Sequence, residues 1–244
     1  MVLAIIQARC GSKRLPGKVL YKIGGITVLE FMYQRVMKSK FIDKIIIATS
    51  VNSIDDPIEE LCLNKKIEYY RGSENDVLDR FYKAALKFNP DLIVRLTADC
   101  PLIDYNLIDK TVKLYKTEKV DFASNTVPPE NRRYPDGTDV EVFSFKLLKL
   151  ATENSFDEKE REHVTFYFWK SGDSFSNAIL NNHENWSKYR YTLDYKEDFN
   201  SIKEIINELK KRNQYGYTHE IVRILEDKKE IFEINAKFNF GENW

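Results

Sequence analysis

The chain has 244 residues, of which 43% are apolar and 31% charged, and its 38 Lys plus Arg balance its 38 Asp plus Glu. That neutral balance argues against a general nucleic-acid binder, which carries a basic excess. No apolar run approaches the roughly 18 residues of a membrane helix, so no membrane partner is expected.

Cys10, Cys62 and Cys100 are odd in number, widely spaced and without a CxxC pair, so neither a disulfide framework nor a structural zinc site is expected. The opening "MVLAIIQAR" has no basic n-region and reads as a first strand rather than a signal peptide. A cytoplasmic location is therefore expected.

Taken in order, "LAIIQA" (Leu3–Ala8) has the length and β-branched content of a strand. Thr27 followed by Glu30 predicts a capped helix through "VLEFMYQRVMKS". "KIIIAT" (Lys44–Thr49) is a second strand, and Asp56, Pro57 and Glu59 predict the start of a second helix. "IEYY" (Ile67–Tyr70) and "LIVRLT" (Leu92–Thr97) are further strands, with Asp76 and Asp104 capping helices from Val77 and Tyr105. The alternation predicts an α/β fold, a single Rossmann-like and mostly parallel sheet with helices on both faces.

The second half is less regular. "TDVEVFSF" (Thr138–Phe145) alternates as a strand, "EREHVTFYFWK" has helical spacing, and "YRYTLD" (Tyr189–Asp194) is another strand candidate. "EDFNSIKEIINELKKR" and "THEIVRILEDKKE" are amphipathic helices. With no repeat or linker, residues 1–244 are expected to form one domain.

Ligands of such sheets sit beyond the carboxyl ends of the strands, which directs attention to "IIQARCGSKRLPGKVL" directly after the first strand. It is not a Walker loop, because five residues separate Gly11 from Gly17 and Val19 follows Lys18 where a metal-binding hydroxyl is needed. The dinucleotide fingerprint also fails for want of its first glycine. What remains is Arg9, Lys13, Arg14 and Lys18 on one bendable segment, with Gly11 and Ser12 letting backbone N–H groups approach a phosphate.

This stretch resembles the nucleotide-binding loop of the CMP-sugar synthetases, the cytidylyltransferases that activate 3-deoxy-2-ulosonic acids, and within them it is similar to the spore-coat polysaccharide synthesis branch. "IIIATSVNSIDDPI", "YYRGSENDVLDRF", "LIVRLTADCPLID", "YPDGTDVEVFSF" and "REHVT" agree in order over roughly residues 3–170, and the match resumes at "TLDYKEDF". The resemblance implies a fold of the nucleotide-diphospho-sugar transferase type, with residues 1–125 as its nucleotide-binding half and residues 126–244 as its acceptor-binding and C-terminal helical half. It also implies magnesium-dependent transfer of CMP from CTP to an acidic sugar, for surface glycan synthesis.

By the same resemblance Lys18, Arg9 and Arg14 are the catalytic cations, Lys18 making the transition-state contact. Gln7, Ala8, Arg9, Gly11, Ser12, Lys18, Arg71, Ser73 and Thr97 surround the nucleotide. Arg71 and Ser73 read base or ribose; Thr97 departs from the Gln often found there, which opens the choice of base. Asp99 and Asp194 are the implied Mg2+ ligands, hard oxygens of the kind that ion takes. Each has an alternative as a turn or helix cap.

Asp136, Asp139 and Glu141 suit hydroxyls or an amine on the acceptor, while Arg161 or His163 would serve an acceptor carboxylate. Asp76 and Asp79 are equally well explained as first-turn helix residues. The partners implied are CTP, a small-molecule acceptor and, by analogy, a second copy in a homodimer. A sugar phosphate or polyol phosphate acceptor is the alternative. A metal-dependent glycosyltransferase is disfavoured because Asp99-Cys100-Pro101 replaces Asp-x-Asp.

Overall fold

A computed structural model describes residues 1–170 and 172–238. In chain order the strands are β1 (Val2–Gln7), β2 (Lys22–Ile23), β3 (Ile26–Thr27), β4 (Lys44–Ser50), β5 (Tyr69–Gly72), β6 (Leu92–Thr97), β7 (Phe122–Ser124), β8 (Glu141–Ser144) and β9 (Asn177–Ile179). The helices are α1 (Val28–Val36), α2 (Asp56–Lys65), α3 (Val77–Leu86), α4 (Tyr105–Glu118), α5 (Phe145–Asn154), α6 (Glu158–His163), α7 (Phe166–Trp169), α8 (Lys196–Lys211), α9 (Thr218–Asp227) and α10 (Lys229–Glu233).

Seven strands form one sheet in the order β5-β4-β1-β6-β8-β7-β9, and β2 and β3 form a small hairpin apart from it. β5, β4, β1 and β6 are parallel neighbours. β8 runs antiparallel to both β6 and β7, and β9 is parallel to β7. The expected mostly parallel sheet with helices on both faces is what forms.

Period-two alternation sorts the strand residues onto two faces. Ala4, Ile6, Ile47, Val94 and Leu96 pack with α1, α2 and α4. Leu3, Ile5, Ile46, Ala48, Ile93 and Phe143 pack with α3, α5 and Phe168 of α7. A third cluster joins α8 and α9 to Val28, Leu102, Tyr191 and Leu193.

The caps explain where the first helices begin. Thr27 accepts from the Glu30 N–H, Asp76 from that of Asp79, and Asp104 from that of Asn106. Asp56 is the first residue of α2 rather than its cap. The capping position belongs to Asp55, whose carboxylate instead binds the N–H of Cys10 and the N–H and hydroxyl of Ser50.

Several elements differ from expectation. β5 starts at Tyr69, not Ile67, because its register with β4 pairs Ile47 with Tyr69 and Ser50 with Gly72. Only Glu141–Ser144 of Thr138–Phe145 joins the sheet, since Ser144 caps α5 and Asn125 holds Val140 and Thr138 from outside it. "EREHVTFYFWK" breaks into α6 and α7 at Val164, a β-branched residue at φ 56°.

Tyr189–Asp194 is not a strand. It threads between two loops, bonding Asp136 through Tyr189 O and Tyr191 N and bonding Asp99 O through Leu193 N, so only an isolated bridge forms.

Candidate active site

The α3 and α5 face of the sheet changes from apolar to polar along the strands. β1 carries Leu3 and Ile5 and then Gln7; β6 carries Ile93 and then Arg95 and Thr97; antiparallel β8 carries Phe143 and, at the same end, Glu141. Register places Gln7 beside Thr97 and Arg95 beside Glu141. Beyond this polar edge lies a cleft of about 340 Å³, in the size range of a small-molecule site.

Of the residues singled out in the sequence, the cleft brings together Gln7, Arg9, Arg14, Thr97, Asp99, Asp136, Asp139, Glu141, His163 and Asp194. The Gln7 Oε1 is buried without a hydrogen-bond partner among the described residues. Arg9 is free of hydrogen bonds and ion pairs among the described residues and lines the cleft.

The loop after β1 doubles back on itself. The Gly17 N–H donates to Cys10 O at 2.9 Å, Ser12 Oγ accepts from the Leu15 N–H, and a short turn of 3-10 helix at Lys18–Leu20 follows. Ala8 is buried and its N–H is already engaged, donating to Ala48 O.

That turn sends Lys18 inward. Its Nζ donates to Asp194 Oδ1 at 2.9 Å, Asp99 Oδ2 at 3.3 Å and Leu193 O at 2.6 Å. Arg14 reaches the same Asp194 Oδ1 at 2.7 Å and lies over the Tyr195 ring, while Arg190 reaches Asp194 Oδ2 at 3.3 Å. Burial alone would raise the Asp194 pKa, but Lys18 and Arg14 hold it down to about 2. Burial works against the Lys18 ammonium too, and Asp99 with Asp194 keep its pKa above the ordinary value.

Asp99 and Asp194 thus face one another around a cation. Two carboxylates, with phosphate oxygens and water completing the shell, are the donor set that magnesium uses. Among the described residues no cluster of three or more His, Cys, Asp or Glu is placed to hold a metal, so any such ion must draw further ligands from substrate or water.

The wall beside this pair holds Asp136, Asp139 and Glu141, with Arg190 joining Asp136 to Asp194 and the Cys100 thiol joining Asp139 to Asp99. Burial and the nearby Asp139 push Asp136 up to about 8, against the pull of its partner Arg190. Arg190 is itself locked by Asp198, fully buried on α8, through bonds of 3.0 Å to Nε and Nη2. Asp198 also accepts the Asp194 and Tyr195 N–H groups, fixing the segment that carries Asp194.

Glu141 binds Arg95 at 2.8 Å, and burial raises its pKa despite that partner. His163 stacks on Phe166 at 4.2 Å, and burial lowers its pKa, so it is neutral near pH 7. Gly137, at φ 101°, lets this wall press on the Tyr189–Asp194 segment, since a Cβ there would stand 2.5 Å from Thr192 N.

Three expected site residues lie elsewhere. Arg71 is on the outer edge strand, bound to Asp56 at 2.7 Å, to Glu59 and to Ser50 O, and it faces a separate surface concavity. Two carboxylates satisfy its guanidinium where a base was expected. Ser73 accepts from the Asp76 N–H in the turn before α3. Arg161 binds Asp76 through Nε and Nη2, at 2.8 and 2.6 Å, and so ties α6 to the start of α3.

A family model described as cytidylyltransferase matches residues 3–231. The chain belongs to the cytidylyltransferase family. It is 35% identical over 209 residues to the spore coat polysaccharide biosynthesis protein SpsF of Bacillus subtilis, covering 83% of this chain and 85% of that protein. It is 30% identical over 177 residues to a 3-deoxy-manno-octulosonate cytidylyltransferase of Francisella tularensis subsp. novicida, covering 67% and 70%. A cytidylyltransferase structure from Leptospira borgpetersenii superposes with a TM-score of 0.86 at 34% identity, covering 95% of this chain and 96% of the other.

This cytidylyltransferase is accordingly a nucleotidyltransferase enzyme, and its cleft contains residues that the sequence reading passed over. Arg95, Arg190, Trp169 and Tyr195 line it, and Asp198 holds Arg190 from behind. A signal existed for the two arginines. Each interrupts an otherwise apolar extended run, "LIVRLT" and "YRYTL", and a charge placed so needs a buried partner or a ligand.

Proposed function

We propose that the chain transfers CMP from CTP to an acidic sugar in a magnesium-dependent reaction that releases pyrophosphate and supplies a surface-glycan precursor. One observation carries this reading: Asp99 and Asp194, far apart in sequence, meet around Lys18 at the end of the cleft that Arg9 and Arg14 line. The names of the relatives support the cytosine nucleotide and the sugar acid.

In this reaction an acceptor oxygen attacks the α-phosphorus and the bond to pyrophosphate breaks, so the protein needs no nucleophile of its own. It has to align the partners and offset the charge that grows on the phosphate oxygens. Arg9, with its donors unengaged, and Arg14 are placed to hold the triphosphate. Lys18 is held ready between the carboxylates. Asp99 and Asp194 would hold magnesium, which supplies Lewis-acid neutralisation of the phosphates when bound. Gln7 offers the base an acceptor with no partner among the described residues, and Arg95, beside Glu141 in the cleft, would serve an acceptor carboxylate.

A second reading is favoured by the remaining acids of the cleft. Asp136, Asp139 and Glu141 together suit a hydroxyl-rich or amino acceptor such as a polyol or sugar phosphate. Pyrophosphate release, measured with each of the four nucleoside triphosphates against panels of acidic sugars and sugar phosphates, tests both. Signal from CTP with acidic sugars supports the first reading, and signal confined to sugar phosphates replaces it by the second. No release with CTP and any acceptor rejects the proposal.

A further inference from the structure

Tyr195 directly follows Asp194, and both line the cleft. Each face of its ring is taken. The Phe238 ring lies on one face, with 3.9 Å between centroids and 5° between planes. Arg14 stands over the Tyr195 ring at 5.1 Å. No cation fits between two rings so close, so Arg14 holds the other face. The main chain here is fixed as well, because the Tyr195 N–H donates to Asp198 at 2.9 Å.

Phe238 is anchored in its turn. Its N–H donates to Asn235 O at 3.1 Å, and the Asn235 side chain is buried. Asn235 Nδ2 donates to Asp198 Oδ1 at 2.8 Å and to Arg190 O at 3.4 Å. The match to the family model ends at residue 231, so Asn235 and Phe238 back the cleft from outside the matched span.

Arg14 therefore has two holders of different kinds. Asp194 takes its Nη2 at 2.7 Å, but that carboxylate is also one of the two assigned above to magnesium. A divalent ion on Asp194 would repel the guanidinium and take the oxygen it uses. The ring has no such second duty. An aromatic face attracts a cation, yet it offers no oxygen for which a metal would compete. Arginine is suited to such a seat, since it stacks on rings and still carries a planar fork of donors for phosphate.

We propose that Tyr195, backed by Phe238, is a positioning residue that keeps Arg14 in the cleft when Asp194 turns to the metal. The proposal rests on the phosphate-binding role given above to Arg14. Tyr195 acts through that arginine, and its ring rather than its hydroxyl is what the role requires.

Calorimetry with CTP and magnesium is the test, on wild type, Tyr195→Leu, Tyr195→Phe and Phe238→Leu. Each is also made in an Arg14→Met background, and every free protein is melted. Tyr195→Leu is expected to bind CTP about fivefold more weakly, the scale of one partly shielded cation–π contact. Tyr195→Phe keeps the ring and is expected to bind within about twofold of wild type. Phe238→Leu leaves the ring unbacked and is expected to fall between the two. With Arg14→Met, all three changes are expected to cost less than about twofold, because the residue they act through is gone.

An equal loss with and without Arg14 overturns the proposal, since a merely structural role would lower affinity in both backgrounds. A full loss in Tyr195→Phe overturns it by assigning the effect to the hydroxyl, and undiminished binding in Phe238→Leu overturns the backing. If binding with Arg14→Met is too weak to follow, the Tyr195→Phe rescue decides; if Tyr195→Leu does not fold, Phe238→Leu does. Wild type that binds none of the four nucleoside triphosphates defeats the underlying nucleotide reading. Wild type that binds CTP no better than Tyr195→Leu defeats the Tyr195 assignment alone.

Discussion

Lys18 and Asp194 meet at 2.9 Å across 176 residues of sequence, and the same ammonium also touches Asp99. The cation therefore sits where two carboxylates would otherwise repel, in a buried setting where such repulsion is strong. With Arg14 and Arg190 also on Asp194, a divalent ion arriving alone has to compete with three cations. Phosphates that draw Lys18 and Arg14 away would open the pair.

Lys18→Met is expected to lower turnover at least ~100-fold, the scale of losing one charge-stabilising donor. The same variant is expected to bind Mn2+ more tightly than wild type in the absence of nucleotide, read by electron paramagnetic resonance. Equal or weaker metal binding would show that the ammonium does not compete for these carboxylates.

Arg95 and Glu141 form a cross-strand pair between β6 and β8, with side chains 14% and 6% exposed. Removing one partner of a buried pair strands the other charge. Glu141→Leu is expected to cost about 3 kcal/mol or more, and the double change Arg95→Met with Glu141→Leu to recover most of it. Urea unfolding of the four proteins measures this, and additive losses would argue against a coupled pair.

His163 stacks on Phe166 in a site that lowers its pKa by burial. The unfolded chain takes up the proton near pH 6.5 while the folded one resists it until lower pH. The stability contribution is thus complete above about pH 6.5 and is lost as pH falls below that value. His163→Phe keeps a ring against Phe166 and removes the proton. Its melting temperature should fall less than that of wild type between about pH 7 and pH 5. Parallel curves would count against a partly buried neutral imidazole.

Gly137→Ala adds a Cβ 2.5 Å from Thr192 N and 2.7 Å from the Tyr191 carbonyl carbon, at a φ of 101° that a side chain resists. Both contacts are backbone, which cannot swing aside. A cost of about 3 kcal/mol, or roughly 6–12 °C in melting temperature, is expected. Activity should fall as well, because the Asp136 wall and the Asp194 segment move apart. A variant melting within a degree or two of wild type, about the scatter of such measurements, would contradict this geometry.

The parallel half of the fold was legible because its strands are short, largely apolar runs and three of its helices announce themselves with a capping residue. Thr27, Asp76 and Asp104 all cap as expected. Tyr189–Asp194 has the same alternation but meets single residues of two loops, and no local pattern reveals that partners are missing. Arg71 was misplaced for a related reason. Standing at a strand end predicts closeness to ligands in general, but β5 is the edge strand and Asp56 and Glu59 were there to meet it.

β8 lies between β6 and β7, although β7 is made before it. On the ribosome, a nascent chain that has emerged as far as Asn125 carries Phe122–Ser124 with no neighbour to pair with, and β6 presents an open flank. Assembly there must wait for Glu141–Ser144 to thread between two earlier pieces, and that late arrival brings a cleft carboxylate with it. The order of synthesis and the order of closure differ, so a premature stop near the middle of the message yields an adhesive fragment rather than half an enzyme.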